Sequence, residues 1–360
     1  MSALVTPSIS LLRPYEAGKP VEELARERGI TDAVKLASNE NPHGPSPKAV
    51  EAMRGVLADV NRYPDANAYR LRERLAASLS VAMAEVVQGN GSNELLDLLV
   101  RTFTTPSDHI VFAEPSFVVY QIAAMAHGVA FTAVPLTNDV HDLDAMLKAV
   151  TPKTRLVFVA NPNNPTGTYV GRAALERFLT AVPADVVVAI DEAYAEYADA
   201  PDYASALSMR GLRERLVVLR TFSKIYGLAA LRVGYAVATA ELCDYLNRVR
   251  APFNVSSLGQ VAALASLEDG EHVEKSRTRN GVERARLAAA LESLGLRVTP
   301  SQANFVYARV AMPARTLYEA LLDRGVIVRA FGGLPHHVRI TVGTERENDR
   351  LLAALGEVLK

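Results

Sequence analysis

In this 360-residue sequence, the residue types able to do chemistry sit at one kind of place: just after a short apolar run ends. Lys224 closes Thr221-Phe-Ser-Lys224 behind the run Leu216-Val-Val-Leu219, with Gly227-Leu-Ala-Ala-Leu231 and Arg232 following. A lysine at such a point is more often a solvated surface group, but an apolar surround would depress its pKa and make the amine nucleophilic. Asp191 closes Val186-Val-Val-Ala-Ile190, with Tyr194 three residues on. If buried, that carboxylate needs a partner; as a helix N-cap it would need none, and the two readings weigh equally. Behind the run 155–160 comes Asn161-Pro-Asn-Asn-Pro-Thr-Gly167, whose prolines and glycine fix the loop and hold an asparagine amide in one orientation, as a plain tight turn also would. Finally, Val86-Val-Gln-Gly-Asn-Gly-Ser-Asn-Glu94 runs directly into Leu95-Leu-Asp-Leu-Leu99. Its glycines allow close backbone approach, Ser92 can cap, and the amides opening the helix suit a phosphate, although ordinary glycine turns look similar.

Something must bring these four stops together. The apolar runs at 109–113, 155–160, 186–190 and 216–219 read as buried strands, and they alternate with helical segments such as 171–181. That alternation predicts an α/β fold with a mainly parallel sheet covered by helices on both faces. In such sheets ligands sit beyond the carboxyl ends of the strands, so all four stops fall on one edge. An amine, an acid, a phenol, an amide and an anion cradle on one edge are what pyridoxal 5'-phosphate requires: a lysine for its aldehyde, an acid for its pyridine nitrogen, donors for its ring oxygen and anion binders for its phosphate. The combination is far more specific than any member.

Beyond residue 250 the pattern changes. Helices are expected over 283–294, stopped by Gly295, and over 314–323. A terminal helix is opened by the capping box Thr344…Glu347, and short strands are expected at 303–307 and 338–342. The chain is therefore expected to divide into an N-terminal arm (1–40) joining a smaller α+β domain (250–360), and a large cofactor-binding domain (41–249). Apolar residues make up 49% and charged residues 22%, enough for a large core, and 39 basic against 40 acidic residues leave a net charge of −1. That balance gives no electrostatic reason to expect nucleic acid or an anionic membrane as a partner. No apolar run approaches the roughly 20 residues of a membrane span, and the N-terminus lacks the pattern of a signal peptide, so a cytoplasmic protein is expected. The lone Cys243 allows no intrachain disulfide and no cysteine metal cluster, and reads as a small buried hydrophobe. His336 and His337 read as loop residues, and no metal site is expected.

The sequence resembles the fold-type-I pyridoxal-phosphate aminotransferases, and within them the histidinol-phosphate aminotransferase family. Besides the four stops, the resemblance rests on Leu12-Arg-Pro-Tyr15, Lys35-Leu-Ala-Ser-Asn-Glu-Asn-Pro42, Asn61-Arg-Tyr-Pro-Asp65 and Val338-Arg-Ile-Thr-Val-Gly-Thr344. It implies that Lys224 forms the Schiff base and shuttles the proton, and that Asp191 keeps the pyridine nitrogen protonated. Tyr194 and Asn164 would bond the ring oxygen, and Phe117 would stack on the ring, unless it is a core phenylalanine. Ser92, Asn93, Ser223 and Arg232 would hold the cofactor phosphate, with Tyr63 reaching it from the neighbouring subunit of a homodimer. Arg339, helped by Arg329, would grip the anionic end of the substrate, with Tyr15 and Asn39 as further pocket positions. The activity implied is amino transfer between L-histidinol phosphate and 2-oxoglutarate in histidine biosynthesis. An aromatic amino acid aminotransferase is the nearest alternative, because an arginine binds a carboxylate as readily as a phosphate. A threonine-phosphate decarboxylase comes next. A non-catalytic cofactor-binding regulator would usually carry a DNA-binding domain, for which there is neither length nor basic patch.

Overall fold

The computed structural model of the chain describes residues 4–15 and 17–359. In chain order the strands are β1 Val34–Lys35, β2 Val86–Asn90, β3 His109–Glu114, β4 Ala130–Pro135, β5 Thr154–Ala160, β6 Val187–Asp191, β7 Leu216–Thr221, β8 Val233–Val237, β9 Arg297–Thr299, β10 Phe305–Arg309, β11 Val326–Ile327, β12 Arg329–Phe331 and β13 Leu334–Thr341. Seven of them form one sheet in the order β2-β8-β7-β6-β5-β3-β4. The pairings β3–β4, β3–β5, β5–β6 and β6–β7 are parallel, whereas β8 is antiparallel to both β2 and β7. Six strands thus point one way, and the start of β8 lies on the edge where the other six end.

Side-chain alternation explains why this sheet is covered on both faces. Ile110, Phe112, Leu156 and Phe158 pack on one face with Leu95, Tyr120 and Leu246, from helices Gly91–Phe103, Val119–Ala126 and Ala240–Val249. Their neighbours Val111, Val157, Val159 and Ile190 pack on the other with Met146, Leu175 and Phe178, from helices Leu143–Lys148 and Arg172–Ala181. Three strands of this sheet, β2, β4 and β8, fall outside the runs that mark strands in the sequence. β4 is an edge strand closed by Pro135, the position where a missing N–H is tolerated.

A four-stranded antiparallel sheet, β12-β13-β10-β9, carries the C-terminal core, in which Leu24, Leu36, Leu287, Leu317, Ile340 and Leu351 are buried together. The expected helix over 283–294 is the second half of a longer one, Gly270–Ser293, capped by the Asp269 side chain accepting from the His272 N–H. Its first half is too charged for an apolar stripe to mark it. The capping box is present: Thr344 Oγ1 accepts from the Glu347 N–H, and Glu347 Oε2 accepts from the Thr344 N–H. His336 and His337 lie in β13 rather than in a loop, because Gly332 and Gly333 turn the chain early enough for β12 and β13 to pair. The His337 ring stacks on Tyr307 at 4.9 Å.

Residues 34–36 dock onto the C-terminal unit. β1 pairs with β11, the Leu36 N–H donates to the Ile327 carbonyl, and the Thr341 N–H donates to the Leu36 carbonyl. Among the described residues, no helix is long and apolar enough to cross a membrane.

Gly234 of β8 faces Gly89 of β2, and a Cβ there would lie 2.4 Å from the Ser92 backbone nitrogen. We expect Gly234→Ala to destabilise the protein by ~1–3 kcal/mol in urea unfolding, by overpacking against backbone. An unchanged midpoint would show that the 89–92 turn can yield.

Candidate active site

All four polar stops, and Phe117 shortly after β3, open onto one cleft at the carboxyl edge of the larger sheet. Its lining includes Ser92, Asn93, Phe117, Asn164, Asp191, Tyr194, Ser223, Lys224, Arg232, Tyr15, Asn39, Arg329 and Arg339. Of the expected site residues only Tyr63 is absent from this lining. It is 82% exposed and stacks on Phe253 at 4.6 Å.

Asp191 is the last residue of β6, every residue of which is buried. Burial pushes its carboxyl up to about 6, against the Tyr120 hydroxyl donating to Oδ2 at 2.9 Å and the Ala193 N–H donating to Oδ1 at 3.2 Å. No salt bridge to Asp191 occurs among the described residues. Tyr120, which the sequence reading missed, is fully buried, stacks on Phe158 at 4.8 Å and meets Phe117 edge-on at 5.9 Å. Its only sequence signal is an aromatic placed one turn after Phe117; the contact with Asp191 spans 71 residues.

Lys224 follows β7 by three residues, its Nζ donating to the Ser38 carbonyl at 3.2 Å and lying 5.7 Å from the Tyr194 ring centre. Burial lowers its ammonium to about 7, and the positive charge of Arg339 adds to the effect. Tyr194 is pushed up to about 12 by burial, opposed by Arg339 and by a hydrogen bond from Asn39 Nδ2 at 2.9 Å.

At one end of the cleft, Ser92 and Asn93 open the helix Gly91–Phe103, whose first-turn amides have no intrahelical acceptor. Arg232 closes over this turn. Its Nη1 reaches Ser223 Oγ at 3.4 Å, and a side chain on Gly91 would meet its guanidinium at 2.6 Å, so glycine is required there twice, for space and for its φ of 73°. At the other end Arg339 is 7% exposed and donates from Nη1 to Asn164 Oδ1 at 2.6 Å and from Nη2 to the Ala37 carbonyl, while its Nε is buried without a partner. Arg329 lies 5.8 Å from the Tyr15 ring and 5.5 Å from the Phe331 ring.

The arrangement holds an anion cradle, a buried acid lacking a cation, an amine that is half uncharged near neutrality and a second, arginine-lined anion end. At pH 7, lowering a lysine from 10.5 to about 7 raises the uncharged fraction roughly a thousandfold. In protein freed of small ligands, trinitrobenzenesulfonate should therefore label Lys224 ahead of other lysines. The rate should fall about tenfold per pH unit below 7 and level off above pH 8. A rate that keeps climbing to pH 10 would mean that the amine is not perturbed.

Residues 31–355 match the family model described as aminotransferase class I and II. The chain is 49% identical to a histidinol-phosphate aminotransferase of Moorella thermoacetica, over 98% of this chain and 92% of that protein. It is 50% identical to histidinol-phosphate aminotransferase 2 of Pseudomonas aeruginosa, over 99% of this chain and 98% of that one. Among solved structures, the histidinol-phosphate aminotransferase of Sinorhizobium meliloti in complex with pyridoxal-5'-phosphate superposes with a TM-score of 0.91 at 29% identity, covering 99% of this chain and 98% of that one. With its parallel-sheet fold of type I and its cleft at the sheet's carboxyl edge, the chain belongs to the class I and II aminotransferases.

Proposed function

We propose that this chain transfers the amino group of L-histidinol phosphate to 2-oxoglutarate with pyridoxal 5'-phosphate as cofactor, a step of histidine biosynthesis. The observation carrying the reading is the cleft's polarity: an anion-binding end at each extreme and a low-pKa lysine with a cation-free acid between them. The residues fit the cofactor. Asp191 is a buried carboxylate awaiting a cationic partner such as a protonated pyridine nitrogen, and the Ser92–Asn93 helix start with Ser223 and Arg232 suits a phosphate. When bound, pyridoxal 5'-phosphate supplies an aldehyde for amine exchange and an electron-withdrawing ring.

In this reading Lys224 Nζ holds the cofactor and, once released by the substrate amine, takes the proton from the substrate α-carbon. Its pKa near neutrality suits both accepting and returning that proton. Asp191 keeps the ring nitrogen charged, with Tyr120 fixing the carboxylate. Tyr194 and Asn164 would donate to the ring oxygen, and Phe117, which meets Tyr120 edge-on, would pack on the ring. Arg339, whose Nε lacks a partner, takes the substrate's phosphate or the carboxylate of 2-oxoglutarate, with Arg329 and Tyr15 beside it. The reading includes a homodimer: Tyr63 and Phe253 form an exposed aromatic pair, and Leu57 and Val60 are also exposed nearby in sequence, the kind of surface a second copy would cover. It also includes a cytoplasmic setting, supported by the single cysteine, which is buried and has its thiol pushed up to about 12 by that burial.

Two measurements test this. The kcat/KM for histidinol phosphate should exceed that for phenylalanine by two or more decades, about 2.7 kcal/mol of transition-state binding, with 2-oxoglutarate saturating. Comparable or reversed values would make the chain an aromatic aminotransferase, and carbon dioxide release from threonine phosphate would make it a decarboxylase. Tyr63→Phe should keep the ring stack yet weaken cofactor affinity roughly tenfold, the worth of one hydrogen bond to a charged group. Unchanged affinity removes Tyr63 from the site.

A further inference from the structure

Asn39 is fully buried and held in the left-handed region at φ 56°. Four hydrogen bonds fix it. Its N–H donates to Thr341 Oγ1 at 2.9 Å, its Oδ1 accepts from Thr341 Oγ1 at 3.2 Å, its carbonyl accepts from Asn304 Nδ2 at 3.0 Å, and its Nδ2 donates to the Tyr194 hydroxyl at 2.9 Å. The Thr341 hydroxyl already receives the Asn39 backbone hydrogen, so its own hydrogen goes to the side-chain oxygen. The amide thus faces with its oxygen to Thr341 and its nitrogen to Tyr194. The phenol oxygen is thereby an acceptor from Asn39, and among the described residues no acceptor is recorded for the phenol's own hydrogen.

We propose that Asn39 is a positioning residue that turns the Tyr194 hydroxyl hydrogen into the cleft, toward the cofactor's ring oxygen. The proposal rests on the cofactor reading above and extends it to a residue whose amide is spent inside the protein. A donor at the phenol oxygen also favours the phenolate, which makes Tyr194 the stronger donor to anything in the cleft. Because Thr341 shares β13 with Arg339 and lies on the same side two residues on, the strand that grips the substrate's anion also holds the residue that aims Tyr194.

Asn39→Asp tests the direction of the bond. Aspartate tolerates the left-handed backbone and keeps the shape, but it presents an acceptor where Nδ2 donated, so the Tyr194 hydrogen turns away from the cleft. Asn39→Gly, which fits the same φ and removes both side-chain bonds without adding charge, is the companion variant. The readout is the pH midpoint of the visible absorbance band in cofactor-loaded protein. A hydrogen donated to the ring oxygen weakens that oxygen's hold on the proton of the adjacent lysine nitrogen, so losing the donation raises the midpoint. We expect Asn39→Asp to raise it by about one unit or more and Asn39→Gly by less, and we expect neither to add to the shift of Tyr194→Phe in the double variants. A midpoint unmoved in both variants overturns the proposal. So does an Asn39→Asp shift that persists in full alongside Tyr194→Phe, which would be a direct effect of the new charge. An unsubstituted protein that takes up cofactor without any visible band would instead overturn the cofactor reading, and this proposal with it.

Discussion

Keeping charge at the dry edge of a buried sheet is the constraint on which the rest of this molecule turns. β6 is wholly buried, yet it delivers two consecutive carboxylates, Asp191 and Glu192, to opposite sides of the chain. The two are treated differently. Glu192 is neutralised completely: Arg220 reaches it at 2.7 Å, Ser205 Oγ donates at 2.7 Å and the Ala206 N–H at 2.6 Å, while Glu196 holds the other side of the guanidinium at 2.8 Å. Breaking such a buried pair costs ~3–5 kcal/mol, so this network pins the ends of β6 and β7 firmly. Asp191 receives only a phenol and one backbone amide, which satisfies its hydrogen bonding without an ion pair, the charge of Lys224 offsetting only part of the cost of burial. A site for a cationic ring is made by withholding from one carboxylate what its neighbour has in full.

The opposite sign is handled by the same means. Lys224 and Arg339 share the cleft: burial, and then the charge of Arg339, depress the lysine, while burial, aided by the charge of Arg329, holds the Arg339 guanidinium below its ordinary value. Anions entering at either end therefore offset the cost of keeping these cations out of water. Binding of an anion beside Arg339 and the charge of the amine are coupled through Coulomb's law.

Much of this was legible in the sequence because polar residues that interrupt wholly apolar runs stand out. The runs before Asn161, Asp191 and Thr221 become β5, β6 and β7, and the glycine-rich turn before Leu95 becomes the start of a helix. The capping box at Thr344 was equally plain, being a purely local code. Tyr120 was not legible, since nothing nearby in sequence distinguishes it from a core aromatic, and its partner lies on another strand. β8 was missed although Arg232 was found: its reversed direction, which is what places Arg232 on the edge, depends on pairing with β2 and β7. Asn39 was placed in the pocket by resemblance, but its bonds to Thr341 and Tyr194 bring together three distant stretches of chain, and no local pattern encodes that.

The stretch 37–39 touches a different working part at each residue: the Ala37 carbonyl takes Arg339, the Ser38 carbonyl takes Lys224 and the Asn39 amide takes Tyr194. Consecutive Cα atoms are about 3.8 Å apart whatever the side chains, so this strip of backbone serves as a ruler between the anion-gripping arginine and the reacting amine. It is itself held in register by β1 pairing with β11. The points at which Arg339 and Lys224 are held are therefore spaced by main chain, which side-chain substitutions along the walls leave in place. Re-spacing those two anchors takes an insertion, a deletion or a change of register in this strip, whereas side-chain drift alters only what reaches from them.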